Sequence, residues 1–295
     1  MVESVKLNNE LGMKVLIASE TFQHTGSFKF RAAYNVVLSS SAPHLVTASS
    51  GNFGQALAYA CQLTGKQCTV VMPTTSTKAK IAAVESFGAE VRLVDVAVKS
   101  RGEWMLDVLI ELGTGVETVS PYDDERVIEG NSTLADELVA FKDDFDSVIV
   151  PIGGGGLSAG LIEGFKRNGI DVKIYGAEPL LGNDAARSLE KGEIVSNEKE
   201  PATIADGART LSIGKHNFPI LKAGLADILE VEEDDIVTAT RLLFMYANLK
   251  CEPTGALGLA ALMANKARFE RKRPLVIVSG GNVDAELYAK LIASS

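Results

Sequence analysis

Short runs rich in β-branched residues alternate with longer segments of helical periodicity from residue 45 onward. The runs LVTA, CTVVM, EVRLV and VETV begin at Leu45, Cys68, Glu90 and Val116. Such runs predict strands, and the helix-length segments between them mix polar and apolar positions. Because parallel strands need crossovers of about a dozen residues or more, this spacing predicts a parallel sheet covered by helices on both faces.

A second series of the same kind follows. It predicts strands at 147–151, 173–177, 227–231 and 275–278, and helices at 157–168 and 234–248. Residues 182–226 carry more charges and turn residues, which predicts surface loops with short helices. No linker and no change in composition separates the two series. We therefore expect two connected α/β units with a ligand site in the cleft between them.

Composition narrows the classes of function. Of 295 residues, 46% are hydrophobic and 23% charged, as in average globular proteins. A net charge of −9 argues against nucleic acid as a partner, because its binding requires a basic surface. No apolar run reaches the ~20 residues that span a bilayer, and residues 1–9 do not resemble a signal peptide. The three cysteines lack metal-ligand spacing. We expect a cytoplasmic protein without membrane contact that acts on small molecules.

Four consecutive glycines form the most distinctive loop. The segment GGGGLS, residues 153–158, lies between the predicted strand 147–151 and the helix that follows it. Glycines let the backbone approach an anion, and the first N–H groups of the helix point toward it, so the loop is interpreted as a phosphate cradle. Gly154, Gly156 and Ala159 also fit the dinucleotide pattern G-x-G-x-x-G/A, with Glu178 where a ribose-binding acid would lie. A nicotinamide enzyme is therefore a competing interpretation of this loop.

Three other turns carry candidate chemistry. In TGSFKFR, a turn and a helix-capping Ser or Thr precede Lys29, whose amine between Phe28 and Phe30 can be desolvated and form a Schiff base. A lysine at such a position is more often a surface residue. In SSGNFG, backbone amides and hydroxyls can hold a carboxylate, and Asn52 can bind a ring hydroxyl. In SGGN, Ser279 offers a neutral hydroxyl to an uncharged pyridine nitrogen. The turns SSGNFG and SGGN are also compatible with ordinary helix caps.

Together the motifs are more specific than any one of them. TGSFKFRAA, SSGNFGQALAYA, PIGGGGLSAG and VSGGNVD follow one another along the chain, supported by GAEP, TIADGA and CEPTGALGLAA. This set resembles the fold-type II pyridoxal-phosphate (PLP) enzymes, in the branch of serine/threonine dehydratases and serine racemase. The resemblance covers essentially the whole chain and outweighs the dinucleotide pattern. It implies an α/β fold of the tryptophan synthase β type with two open parallel-sheet domains and the active site in the cleft between them. Residues 1–43 and 122–295 would form a large PLP-binding domain and 44–121 a small one.

The resemblance implies a role for each matching residue. Lys29 matches the lysine that binds PLP covalently and then acts as the base at Cα, and Asn52 the asparagine bonded to the 3-hydroxyl. Ser279 matches the serine at the pyridine nitrogen, and Ser50 the second catalytic base of racemases. The other cofactor-binding positions are Phe28, Gly153, Gly154, Gly155, Gly156, Leu157 and Glu252. The substrate-carboxylate loop comprises Ser49, Ser50, Gly51, Asn52 and Phe53.

A divalent cation and a homodimer are further implications of the resemblance. Glu178, Gly182 and Asp184 fall where this branch binds a cation, and oxygen ligands suit Mg²⁺ or Ca²⁺. The chain departs from its relatives at Phe53, where histidine is common, which makes the substrate side more apolar. Tyr122 stands where serine racemases tend to have asparagine, and this favours elimination. The N-terminal helix of relatives is not expected in this chain. A regulatory domain is not expected either, which implies the unregulated type of dehydratase.

The predicted activity is that of an ammonia-lyase that converts threonine or serine, or both, to a 2-oxo acid and ammonia. A serine or aspartate racemase, or a 3-hydroxyaspartate dehydratase, is the alternative within enzymes, and Ser50 keeps racemisation open. A non-catalytic PLP-binding protein is the alternative outside enzymes. The intact lysine, asparagine, glycine and serine motifs argue against that last possibility.

Overall fold

The computed structural model describes residues 1–49 and 51–293, apart from the side chain of Arg101. The strands are β1 (Val2–Glu3), β2 (Leu16–Ser19), β3 (His44–Ala48), β4 (Gln67–Pro73), β5 (Glu90–Val94), β6 (Val116–Thr118), β7 (Ser147–Pro151), β8 (Lys173–Pro179), β9 (Leu225–Val231) and β10 (Pro274–Val278). The helices are α1 (Val5–Leu11), α2 (Lys29–Ser39), α3 (Asn52–Thr64), α4 (Lys78–Glu85), α5 (Arg101–Leu112), α6 (Glu125–Leu138), α7 (Gly156–Arg167), α8 (Asp184–Lys191), α9 (Asn217–Gly224), α10 (Glu233–Ala247), α11 (Pro253–Ala264), α12 (Lys266–Phe269) and α13 (Ala285–Ala293).

The larger sheet has the strand order β1-β2-β10-β7-β8-β9 within the described residues. Its strands are parallel except for β1, which pairs antiparallel with β2. Alternate residues of a strand point to opposite faces. Accordingly Val276 and Val278 pack with α10 and α11 in one hydrophobic cluster, whereas Leu275 and Ile277 pack with α6 and α7 in another. Helices therefore cover both faces, as the sequence predicts.

The smaller sheet has the order β5-β4-β3-β6, and its described pairs are all parallel. On one face Leu45 and Val70 pack with residues of α2 and α3. On the other face Val46 and Val71 pack with Val108 of α5. The helix α2, although it precedes residue 44, thus shares a hydrophobic cluster with this sheet. The separation of the strands supports the proposed division at 43/44 and 121/122, which remains a prediction.

Predicted and observed elements agree for both series of strands, and the α/β class with parallel sheets is confirmed. The region 182–226 contains the short helices α8 and α9 between loops, as expected. The strands β1 and β2 were not predicted from the sequence, although the apolar run VLIA before Ser19 was a signal for β2. The three cysteines are buried and free. No helix among the described residues is long and apolar enough to cross a membrane.

Candidate active site

A cavity of about 430 Å³ lies where strands of both sheets end. Its walls include Ala48 at the end of β3, Pro151 at the end of β7 and Ser279 directly after β10. In open parallel sheets, ligands bind at the carboxyl ends of the strands. The loops that follow these strands contain the sequence motifs, so the fold brings TGSFKF, SSGNFG, GGGG and SGGN together around one cavity.

Lys29 is the first residue of α2 and is half-buried in the cavity wall. Its Nζ donates to the Pro121 carbonyl at 2.7 Å. Burial lowers the pKa of Lys29 to about 8, against an opposing effect of the nearby Glu252. The predicted Ser or Thr cap is wrong: Phe28 occupies the cap position and no side chain caps the helix.

The aromatic surroundings of Lys29 also differ from the sequence interpretation. Its Nζ lies 5.0 Å from the ring centroid of Phe28 and 5.7 Å from that of Phe53. Phe30 does not flank the amine; it packs with His24, Tyr34 and Tyr59. A helix places consecutive residues about 100° apart, so Phe30 points away while Phe53 arrives from α3. Phe53, which was predicted to make the substrate side more apolar, therefore lies close to the lysine amine.

The glycine loop runs from β7 into α7, and side chains would not fit in it. A Cβ at Gly154 would lie 2.2 Å from the Tyr122 ring, and one at Gly153 would lie 2.7 Å from the Gly207 carbonyl oxygen. Gly155 has a φ of +91°, which glycine adopts without strain. No side chain caps α7, so its first amides are available to an anion. Leu157 is buried and packs in the same hydrophobic cluster as Phe28.

Asn52 begins α3 and is held by two side chains from the larger sheet's half of the chain. Its Nδ2 donates to Glu252 Oε1 at 2.8 Å, and its Oδ1 accepts from Asn282 Nδ2 at 2.8 Å. An amide NH₂ has two hydrogens, so one remains for a cofactor hydroxyl. Ser49, Gly51 and Phe53 line the cavity beside Asn52. Ser50, the predicted second base, lies outside the described residues.

Glu252 and Ser279 complete the polar wall of the cavity. Burial, and then the charge of Asp206, raises the pKa of Glu252 to about 8, so the acid is mainly protonated at neutral pH. The Ser279 carbonyl accepts from Phe28 N at 2.9 Å, which places it beside Lys29. Its hydroxyl oxygen is buried and has no hydrogen-bond partner among the described residues. Buried polar atoms are rarely left unpaired without a functional reason.

These features fit PLP. An uncapped helix N-terminus behind four glycines suits its phosphate, a desolvated lysine suits its aldehyde, and the unpaired Ser279 hydroxyl suits its ring nitrogen. All three groups line the same cavity. A dinucleotide would leave the lysine and the serine without a role.

The predicted cation site is not supported. Glu178 and Asp184 are both buried, but the Glu178 carboxylate accepts from Ala185 N and Ala186 N, each at 2.9 Å. Asp184 accepts from Asn197 Nδ2 at 2.9 Å through Oδ1, and only its Oδ2 lacks a partner among the described residues. Gly182 is buried beside Pro201. Within 1–49 and 51–293, no group of three or more His, Cys, Asp or Glu side chains could hold a metal ion.

Several cavity residues were not assigned a role from the sequence. Lys80 Nζ lies 2.7 Å from Asp206 Oδ2 and links α4 to the segment that precedes Thr210. Arg209 and Lys250 also line the cavity, and Asn282 supports Asn52. The segment TIADGA that contains Asp206 was a signal, because it stood out in sequence without a chemical explanation.

Comparisons with known proteins agree with this geometry. Residues 1–280 match the family model described as "Pyridoxal-phosphate dependent enzyme". An L-threo-3-hydroxyaspartate ammonia-lyase of Pseudomonas sp is 40% identical over 97% of this chain and 90% of its own length. A serine racemase of Schizosaccharomyces pombe is 35% identical over 99% and 91%. The crystal structure of a T.th. threonine deaminase superimposes with a TM-score of 0.88, at 40% identity over 96% and 92%. The chain has their fold-type II architecture and belongs to the pyridoxal-phosphate dependent enzyme family.

Proposed function

We propose that the chain is an ammonia-lyase that removes water and then ammonia from a β-hydroxy amino acid. The observation that carries the proposal is the meeting of Lys29, the glycine loop and the unpaired Ser279 hydroxyl around one cavity. The names of similar proteins, which include ammonia-lyases and a threonine deaminase, give independent support.

Lys29 is the proposed catalytic base. Bound PLP supplies an electron sink that withdraws charge from the substrate's Cα. With PLP bound, Lys29 would hold the cofactor, and its Nζ, when uncharged and free, would take the substrate's Cα proton. Because burial lowers the pKa of Lys29 to about 8, a useful fraction of the amine is uncharged near neutral pH. Phe28 and Phe53 keep water from this amine.

Ser279 favours elimination over other reactions at Cα. A carboxylate at this position would hold a proton on the pyridine nitrogen, whereas a hydroxyl does not. With the cofactor bound, the Ser279 hydroxyl would leave the ring nitrogen largely unprotonated, and the weaker electron withdrawal would favour loss of the β-hydroxyl over reprotonation. The released enamine hydrolyses in water to a 2-oxo acid and ammonia.

The loop 49–53 is the proposed binding site of the substrate's α-carboxylate. It runs into the first turn of α3, whose cap residue Gly51 provides no side-chain cap, so the first amides of the helix are available to the anion. Asn52 is fixed by Glu252 and Asn282 and orients this end of the helix. Binding of the α-carboxylate by this loop would orient the substrate's Cα–H bond toward Lys29.

Threonine and serine are the proposed substrates, with 3-hydroxyaspartate as the second candidate because a similar protein at 40% identity is named for it. Racemisation is the second candidate reaction, since a 35% identical relative is a serine racemase and the chain has Ser50. Incubating the holoenzyme with each amino acid, and measuring 2-oxo acid release beside chiral inversion, tests the proposal. Faster formation of D-serine than of pyruvate would refute the lyase assignment.

A cation at Asp184 remains a separate proposal from the family resemblance. The partnerless Asp184 Oδ2 supports it, and the occupied Glu178 oxygens oppose it. If Mg²⁺ or Ca²⁺ binds there, adding it after chelation raises the melting temperature, and Asp184→Asn abolishes the rise. Asp234→Asn, at an acid in the first turn of α10, is the control and keeps it. No response in the unmodified protein rules out the site.

A further inference from the structure

Four basic side chains line the described part of the cavity, together with the acids Glu200, Asp206, Glu252 and Asp284. The described lining residues include Lys29, Lys80, Arg209 and Lys250. Lys29 donates to Pro121 O, and Lys250 Nζ donates to Gly281 O at 2.8 Å. Lys80 is paired with the carboxylate of Asp206. Three of the four are therefore engaged through the nitrogen at the end of the side chain.

Arg209 differs from these lysines. Its Nε donates to the Thr203 carbonyl at 2.7 Å, which anchors the guanidinium at one end. Neither of its terminal nitrogens has a protein partner among the described residues. Asp206, three positions earlier, is neutralised by Lys80 and does not compete for the guanidinium. A cavity-lining arginine thus keeps a free pair of donors.

The segment that carries Arg209 has a fixed position in the cavity wall, and the arginine side chain itself is exposed. The segment 206–210 lies against the glycine loop, because a Cβ at Gly153 would be 2.7 Å from Gly207 O. It is fixed further by Gly207 N, which donates to Thr254 Oγ1 at 2.9 Å. The loop 49–53 follows β3 and lies on the side of the cavity formed by the smaller sheet. A substrate held there by its α-carboxylate has the segment with Arg209 on the remaining wall.

We propose that Arg209 determines specificity by binding the side-chain carboxylate of a dicarboxylic β-hydroxy amino acid. A planar guanidinium matches a carboxylate with two parallel hydrogen bonds, which a hydroxymethyl or hydroxyethyl side chain cannot form. The inference rests on the proposed ammonia-lyase function. It favours the second candidate substrate, 3-hydroxyaspartate, over threonine and serine.

The kinetic test compares the holoenzyme with Arg209→Met, Arg209→Lys and Lys222→Met. Lys222 is the matched control, since it is an exposed base outside the cavity that likewise donates to one backbone carbonyl. We expect Arg209→Met to lower the ratio of kcat/KM for threo-3-hydroxyaspartate to kcat/KM for serine by about 10- to 100-fold. Arg209→Lys recovers part of the ratio, and Lys222→Met leaves it unchanged. A change below about twofold in Arg209→Met overturns the proposal.

A binding test does not depend on turnover. L-Aspartate and L-alanine lack a β-hydroxyl, so neither can lose water, and each perturbs the absorbance of the bound cofactor as it binds. Arg209→Met should weaken aspartate binding by the same factor and leave alanine binding unchanged. An unchanged Kd for aspartate overturns the role of Arg209.

The two proposals fail in distinguishable ways. If the holoenzyme releases ammonia from serine or threonine but not from 3-hydroxyaspartate, the lyase assignment stands and the role of Arg209 is wrong. If no β-hydroxy amino acid releases ammonia, the lyase assignment fails, and the aspartate titration still decides whether Arg209 binds a side-chain carboxylate.

Discussion

The charge of Glu252 opposes the lowering of the Lys29 pKa. Burial lowers the pKa of Lys29 to about 8, and burial together with Asp206 raises that of Glu252 to about 8. Near neutral pH, the site therefore combines a lysine that releases its proton readily with a carboxyl that retains one.

Replacing Lys29 by alanine should remove the covalent attachment of the cofactor. We expect the visible absorbance of the Schiff base to disappear and turnover to fall by at least about 10³-fold, because the base at Cα is lost with it. Absorbance spectra and 2-oxo acid assays measure both effects. Lys14→Ala, at an exposed lysine paired with Glu3, serves as the control. A yellow, active Lys29→Ala variant would contradict the assignment.

Glu252 should make the stability of the cofactor-free protein depend on pH. Its pKa is about 8 in the folded protein, against an ordinary value of 4.5, so the folded protein holds the extra proton between these values. The stabilisation is complete below the lower pKa and is lost as pH rises through the upper one. Relative to Glu252→Gln, the free energy of unfolding should fall by on the order of a few kcal/mol from about pH 5 to 8. Urea titrations measure it, with the exposed Glu10→Gln as control; parallel curves for Glu252→Gln would refute the shift.

Three helices begin at the cavity without a side-chain cap, and this distinguishes them from α5. The N-termini of α2, α3 and α7 follow Phe28, Gly51 and Gly155, none of which caps its helix. By contrast, Ser100 and Glu103 form a complete capping box on α5. Uncapped amides at a cavity are satisfied by water or by ligand anions. The open ends of α7 and α3 therefore match a cofactor phosphate and a substrate carboxylate, respectively.

Adding a methyl group to the glycine loop should damage cofactor binding. In Gly154→Ala the new Cβ would lie 2.2 Å from the Tyr122 ring, and relieving such a clash costs about 1–3 kcal/mol. We expect weaker PLP binding in a fluorescence titration and a lower melting temperature. Gly102→Ala in α5 is the control, because its Cβ meets nothing closer than 3.9 Å and alanine favours helix. Equal PLP affinity in the two variants would show that the loop does not cradle the phosphate.

Elements with a local sequence pattern could be predicted, whereas elements defined by pairing with a distant segment could not. The strands β7 and β10 are fully buried apolar runs between turn residues, so their sequence alone identified them. β1 has two residues and is defined only by pairing with β2, which no local pattern reveals. Glycine loops were recognisable because their backbone requirements are local.

The contacts that the sequence did not reveal join distant residues. Whether Phe30 or Phe53 flanks Lys29 depends on how α2 packs on α3. The Lys80–Asp206 pair joins residues 126 positions apart. Motif resemblance predicted roles for Lys29, Asn52 and Ser279, but it gave no indication of the bonds from Glu252 and Asn282 that hold Asn52.

At the scale of the whole molecule, the cavity lies between two sheets that are joined through a covering helix: Val127 of α6 packs in the cluster of the smaller sheet, and Ile128 in that of the larger. Phe30 and Val36 of α2 belong to the cluster that covers the smaller sheet, and Lys80 bridges to Asp206. The two sheets are therefore connected both through the packed helices that cover them and through the Lys80–Asp206 ion pair across the cavity. A ligand that touches both walls should stabilise the complete chain.

Removing PLP should lower the melting temperature of the protein. A ligand at about 1,000 times its Kd adds about 4 kcal/mol to the stability of the folded state. Scanning calorimetry of the holo and apo forms measures the difference, which should shrink in Lys29→Ala because the covalent link is lost. Equal melting temperatures of the two forms would mean that the cofactor does not join the two walls.

A cytoplasmic homodimer remains our expectation for the assembly. The single chain leaves apolar side chains such as Phe22 and Ile110 more than three-quarters exposed, at 83% and 80%, and subunit contacts commonly cover such surface. Size-exclusion chromatography with light scattering should give about twice the chain mass of 31.3 kDa. A mass equal to one chain would contradict the dimer.

The strand β10 pairs with β2 on one side and with β7 on the other, although it is made long after both. During synthesis, the larger sheet therefore lacks the strand between β2 and β7 until β10 leaves the ribosome. Ser279 follows β10 directly, so the cofactor pocket acquires its last wall at the same moment. Nascent chains should consequently bind PLP only after nearly all of the polypeptide has emerged.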